Sequence, residues 1–237
     1  MPRPVLIFDF DGTVALGDGP LLAYARAVAA HAASADALVA AVATRLAAPS
    51  GDAIDGYDVV RQLALAEGIG ADALAAAYAR SRLQLSTSQA PVTVADGLAS
   101  FLRTTDAERL LVTNAPVTRL DEALASLGLG GLFDRIVTDA AKPAGLAALL
   151  DTLGDGIPVL AVGDVWRNDL APAHARGHAT ALVGGYPDPT AEPTFHADTL
   201  DALLPALAAW VEAVAAAPAT RTDRVDAPPA ETSPSAA

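Results

Sequence analysis

Hydrophobic and polar positions divide the chain into three stretches. Val5-Leu6-Ile7-Phe8 is a short, continuous apolar run, the pattern of a strand buried on both faces of a parallel sheet. It is followed by Asp9-Phe10-Asp11-Gly12-Thr13. From about Ala15 to Ala90 the pattern is helical. Leu21, Tyr24, Ala25 and Val28 form one stripe behind Pro20, and Leu38, Val42 and Leu46 recur every fourth residue behind Ser34. A loop spans Pro49 to Gly56, a third helix runs from about Asp58 to Glu67 and stops at Gly68, and a fourth carries Leu74, Tyr78, Ser81 and Leu85. No strand signal interrupts this region, which predicts a small all-α domain over residues 15–90.

From Pro91 the pattern alternates. A helix is predicted from about Asp96, strands at Arg109–Val112, Arg135–Val137, Pro158–Val162 and Thr180–Val183, and helices near Val117–Leu127, Ala144–Leu153, Leu170–Arg176 and Thr199–Ala216. Such alternation predicts a doubly wound, Rossmann-like α/β parallel sheet built from residues 1–14 and 91–217. Residues 218–237, mostly Ala, Pro, Thr, Ser and Asp without an apolar stripe, read as a disordered tail.

Composition narrows the function classes. At 237 residues the chain can bury a substantial core, although 5% aromatics against 52% hydrophobics means that alanine supplies much of its apolar content. Net charge is −13, which argues against binding a nucleic-acid backbone or an anionic membrane face, and says nothing about oligomeric state. With no cysteine there is no thiol nucleophile, Cys-based zinc site or disulfide. The N-terminal apolar run ends in two acids, unlike a secretory signal, and Ala206–Ala217 is too short for a membrane span, so the expectation is a soluble cytoplasmic protein.

In open α/β sheets ligands bind beyond the carboxyl ends of the strands. The polar residues predicted there are Asp9 and Asp11 after the first strand, Thr113 and Asn114 after the second, Lys142 beyond the third, and Asp164 and Asp169 after the fourth. On an extended backbone Asp9 and Asp11 point to one side, where two close carboxylates invite a cation or a shared proton. An Asx turn or helix cap is the plainer reading of such acids, and of Asn114 before Pro116. An EF-hand is excluded, because Val14 and Pro20 stand where it needs Gly and Glu. Lys142 is the chain's single lysine. A compact ammonium fits beside carboxylates and a phosphoryl group where a planar guanidinium does not.

In this order the segments resemble the four motifs of the haloacid dehalogenase-like superfamily: Asp9-Phe10-Asp11-Gly12-Thr13-Val14, Leu111-Val112-Thr113-Asn114, Lys142-Pro143, and Gly163-Asp164-Val165-Trp166-Arg167-Asn168-Asp169. Residues 15–90 are similar to the family's helical cap, inserted after the first motif. The resemblance implies that Asp9 is a nucleophile forming an aspartyl phosphate, that Asp11 is the general acid and base, and that Mg²⁺ is held by Asp9, the Asp11 backbone carbonyl and Asp164. Asp169 is then a further ligand or a support. Thr113 and Asn114 hold the phosphoryl group, and Lys142 neutralises charge.

Dehalogenases of the superfamily lack the second acid of the first motif, so Asp11 favours phosphoryl transfer; a cap without lysine disfavours a phosphonatase-like Schiff base. The expected activity is Mg²⁺-dependent hydrolysis of a small phosphorylated metabolite. A sugar phosphomutase and a low-turnover, phosphate-responsive regulatory module are the alternatives. Arg45, Arg61, Arg80 and Arg82 could meet a second anionic group, as in a phosphoglycolate phosphatase-like enzyme, but arginines on such helices are more often a solvated face. Tyr24 and Tyr78 lie on apolar stripes and read as core, and Tyr57 is a candidate pocket residue. The four histidines read as surface or structural, and Trp166 as packing near the site.

Overall fold

The computed structural model describes residues 3–49, 52–154, 156–184 and 188–217; the predicted tail lies outside them. Six parallel strands form one sheet in the order β3-β2-β1-β4-β5-β6, with β1 Val5–Phe8, β2 Glu108–Val112, β3 Arg135–Val137, β4 Val159–Gly163, β5 Ala179–Val183 and β6 Phe195–Ala197. The apolar run that opens the chain becomes β1, which pairs with β2 on one side and β4 on the other and is buried throughout. Side chains alternate across it. Leu6 and Phe8 join Leu98, Leu102, Leu111, Leu203 and Leu207 on one face, while Val5 and Ile7 join Leu110, Leu146, Leu150 and Val159 on the other. The helices supplying these layers are α5 Leu98–Thr104, α6 Leu120–Ser126, α7 Ala144–Thr152, α8 Ala171–His174 and α9 Leu200–Ala216.

Register aligns the strand ends. Phe8 pairs with both Leu111 and Val162, so the chain leaves β1 at Asp9, β2 at Thr113 and β4 at Asp164 on a common edge. Backbone bonds extend the alignment past the strands: the Asp9 N–H donates to the Val162 carbonyl and the Thr113 N–H to the Val137 carbonyl, both at 2.9 Å. After β4, residues Trp166–Leu170 form a π-helical turn before α8, where a plain helix was predicted from Leu170. The turn is pinned from inside, because Asp169 Oδ2 accepts the Val165 N–H at 3.0 Å. Trp166 is buried in it against His174, their rings 5.3 Å apart.

Between β1 and α5 the chain forms four helices, α1 Gly19–Ala29, α2 Ala35–Ala47, α3 Gly56–Ala66 and α4 Ala71–Arg82. They bury a cluster of their own around Tyr24, Val28, Leu38, Val42, Val60 and Leu74. Two linkers connect this helical insert to the sheet domain, and they meet: Leu16 and Thr93 exchange backbone hydrogen bonds of 2.8 and 3.0 Å. Gly19 is required beside them, since a Cβ there would stand 2.1 Å from the Pro91 carbonyl oxygen. Strand β6 was not predicted, and α3 begins two residues earlier than expected, behind Asp55, whose side chain accepts the Asp58 N–H at 2.7 Å. No helix among the described residues is long and apolar enough to cross a membrane.

Candidate active site

The aligned strand ends and the helical insert line a cavity of about 390 Å³. All seven residues singled out in the sequence line it: Asp9, Asp11, Thr113, Asn114, Lys142, Asp164 and Asp169. Lys142 lies at its floor with its side chain 3% exposed, and its Nζ donates to Asp9 Oδ1 at 2.5 Å and to Asp169 Oδ1 at 2.6 Å. Asn114 fixes the backbone that carries this lysine. Its Oδ1 accepts the Lys142 N–H at 2.6 Å and its Nδ2 donates to the Lys142 carbonyl at 3.3 Å, which leaves the second Nδ2 hydrogen to donate. Thr113 Oγ1 accepts the Ala115 N–H at 3.0 Å, which leaves its hydroxyl proton to donate.

Close glycines let the acids converge. Gly12 has φ +88°, and a Cβ on it would stand 2.3 Å from Asp164 Oδ2; a Cβ on Gly163 would stand 2.4 Å from that of Asp169. Thr13 Oγ1 lies 3.4 Å from Asp164 Oδ1 as a further donor. Asp9, Asp164 and Asp169 each place one carboxylate oxygen within 4.8 Å of the others. Charge is therefore out of balance. Burial pushes the Asp9 carboxyl up to about 7, against the pull of Lys142 and helped by Asp169 and Asp11. Burial, with Asp9 next, holds Asp164 well above the usual carboxylate range. Lys142, although buried, is kept protonated by Asp9 and Asp169.

A set of hard oxygen donors with excess negative charge suits a small divalent cation. Asp169 gives one oxygen to Lys142 and the other to the Val165 N–H, yet each keeps a lone pair, so Asp9, Asp164 and Asp169 all remain candidate ligands for such an ion.

One neighbour of Asp11 is a buried arginine of the helical insert. Arg82, at the end of α4 and read in the sequence as a solvated residue, is 1% exposed, and its Nη1 donates to both Asp11 oxygens at 2.9 and 3.2 Å. The Tyr57 hydroxyl donates to Asp11 Oδ1 at 3.3 Å and accepts from Arg82 Nη1 at 3.2 Å. Asp11 first, then Tyr57, keep the buried guanidinium charged. Asp11 is thus gripped by two residues of the helical insert. The signal available was slight: Arg82 follows Ser81, itself on the apolar stripe of an alanine-rich helix.

The sequence model of the haloacid dehalogenase-like hydrolases matches residues 4–177. No curated protein matches the chain. Solved structures do. The HAD-hydrolase YfnB of Bacillus subtilis, bound to magnesium, is 20% identical over 87% of this chain and 99% of its own, with a TM-score of 0.58. A predicted phosphoglycolate phosphatase from Haemophilus somnus is 20% identical with the same coverages and a TM-score of 0.57. The L-2-haloacid dehalogenase of Xanthobacter autotrophicus is 19% identical over 86% of this chain and 98% of its own, with a TM-score of 0.54. These likenesses establish the shared fold. The family match reaches from the first strand, through the helical insert and the aligned acids, to the end of α8, and on it the chain belongs to the haloacid dehalogenase-like hydrolase family.

Proposed function

We propose that this hydrolase is a Mg²⁺-dependent phosphatase acting on a small phosphomonoester through an aspartyl phosphate on Asp9, with the helical insert as its cap. The observation that carries this reading is the placement of a second carboxylate, Asp11, in one cavity with Asp9 and Lys142. A nucleophile and a separate proton carrier are what two-step phosphoryl transfer needs and what a displacement of halide does not.

The Asp9 carboxylate attacks phosphorus as the bond to the alcohol oxygen breaks, and Asp11 delivers a proton to that oxygen. Water then attacks the aspartyl phosphate, Asp11 takes its proton, and phosphate departs to restore the Asp9 carboxylate. Lys142 holds the nucleophile by one oxygen and balances charge on the phosphoryl group, while the Thr113 hydroxyl donates to a phosphoryl oxygen. Asp169 and Asn114 position Lys142. Mg²⁺, held by Asp9, Asp164 and the Asp11 backbone carbonyl, would supply positive charge that lets a phosphate dianion enter so acidic a site. The grip of Arg82 and Tyr57 on Asp11 joins the cap to the proton carrier, so substrate entry and the freeing of Asp11 belong to one movement about the Leu16–Thr93 linkers.

The test is phosphate release from a panel of small phosphorylated metabolites, with and without Mg²⁺, beside halide release from L-2-haloacids. Metal-dependent phosphate release from a few members and no halide release are expected; halide release, or phosphate release indifferent to chelators, refutes the reading. Gly12→Ala probes the metal site, because its methyl group must displace Asp164. The Mg²⁺ concentration needed for half-maximal activity should rise by about 10–100-fold. An unchanged requirement would remove Asp164 from the metal.

A further inference from the structure

The cavity wall beyond the phosphoryl site is acidic and aromatic. Among the described residues Lys142 is the one cation that lines it, and its ammonium is already shared by two carboxylates. The arginines of the insert that could have met a second anion are engaged elsewhere. Arg45 binds Asp52, Arg61 binds Asp58, Arg80 donates to the Ala27 carbonyl, and Arg82, which does not line the cavity, gives its Nη1 to Asp11. Facing the phosphoryl site from the insert are instead Asp55, Tyr57 and Tyr78.

Asp55 is anchored. As the N-cap of α3 its carboxylate accepts the Asp58 N–H at 2.7 Å, one of about four acceptor positions on a carboxylate. The rings of Tyr57 and Tyr78 stand edge to face with centroids 5.6 Å apart, which fixes both beside it. A rigid carboxylate next to aromatic surface is the chemistry that receives an organic cation.

We propose that the site selects phosphate monoesters of alcohols bearing an ammonium group and no second anion, with Asp55, Tyr57 and Tyr78 receiving the cation. This rests on the phosphatase reading and names its substrate class. A carboxylate in that position would meet Asp55, while Arg61, the cation that shares a second pocket with these three residues, is held by Asp58; a hydroxyl would be accepted without gain. An ammonium there also relieves the crowding that burial and the charges of Asp58 and Asp169 impose on Asp55.

Three esters of nearly equal size separate the cases: 2-aminoethyl phosphate, 2-hydroxyethyl phosphate and phosphoglycolate, assayed with the full chain and Mg²⁺. The expected order of kcat/KM is ammonium over hydroxyl over carboxylate, each step about tenfold, the scale of one uncompensated or newly made charge contact. Equal values, or preference for the carboxylate, overturn the inference. Asp55→Asn keeps the helix cap, since Asn caps as well as Asp, and should bring the ammonium-to-hydroxyl ratio close to one; an unchanged ratio removes Asp55 from recognition. If none of the three is hydrolysed, the wider panel still tests the phosphatase reading, and calorimetric titration of the same three into the wild-type chain with Mg²⁺ decides the inference by itself. Tightest binding of the ammonium ester upholds it, and tighter or equal binding of the carboxylate ester refutes it.

Discussion

Asp9→Asn should reduce turnover by about 10⁴-fold or more, the scale on which a nucleophile's loss is felt, yet raise the melting temperature of the metal-free protein. The two effects have one origin. Burial lifts the Asp9 carboxyl to about 7, so ionising it costs the folded state more than the unfolded one. An acid whose pKa is raised on folding leaves stability intact below its unfolded value near 3.9 and erodes it as pH climbs through the folded value. Asparagine is neutral throughout, and Lys142 retains Asp169 as a partner. The variant and wild type should therefore melt alike near pH 4 and diverge up to about pH 7, with the variant more stable. Excess Mg²⁺ should reverse the order, because an ion bound to the native state stabilises whichever chain holds it more tightly. Thermal melts across pH in chelator and in Mg²⁺ test this; a variant less stable than wild type in chelator at neutral pH would make Asp9 a structural ion-pair partner.

Lys142→Met should be damaging on both counts. Its ammonium is the single charge between Asp9 and Asp169, and removing one partner of a buried ion pair costs about 3–5 kcal/mol because the other is stranded. Turnover should fall by about 10²–10³-fold, as when a donor to developing phosphoryl charge is lost. The stability deficit should shrink as pH is lowered, since protonated carboxyls need no counter-charge. Lys142→Arg should rescue little of either loss: the planar guanidinium must enter a position where Nζ makes contacts of 2.5 and 2.6 Å to two different carboxylates. Denaturant melts and phosphate release read both effects, and near-wild-type activity in the Arg variant would contradict the steric argument.

The sheet was legible where strands are buried and continuous. Val5–Phe8 and Pro158–Val162 carry unbroken apolar runs because both faces of β1 and β4 are covered. Strand β6 was not, since Phe195-His196-Ala197 is a three-residue edge strand with only its β5 side paired. Asp9, Thr113 and Asp164 could be placed from sequence because each follows a strand, and register does the rest. Arg82 and Tyr57 were candidates for the pocket, but not as partners of Asp11. They reach Asp11 only because α3 and α4 fold back over the strand ends, a relation between residues 71 and 46 positions apart that no local period encodes. Asn114 was legible as a site residue, but its hold on the Lys142 backbone was not, since a side chain that holds a neighbour's backbone has the same sequence signature as one that holds a ligand.

A chain with a single lysine has a single ε-amino group. Because that amine is 3% exposed in the cavity and shared by two carboxylates, amine-directed reagents have one internal target, and it is a shielded one. Lys142 should therefore be labelled more slowly than the α-amino group of the same molecule, and the ratio of the two rates measures both its shielding from solvent and how firmly Asp9 and Asp169 hold its proton.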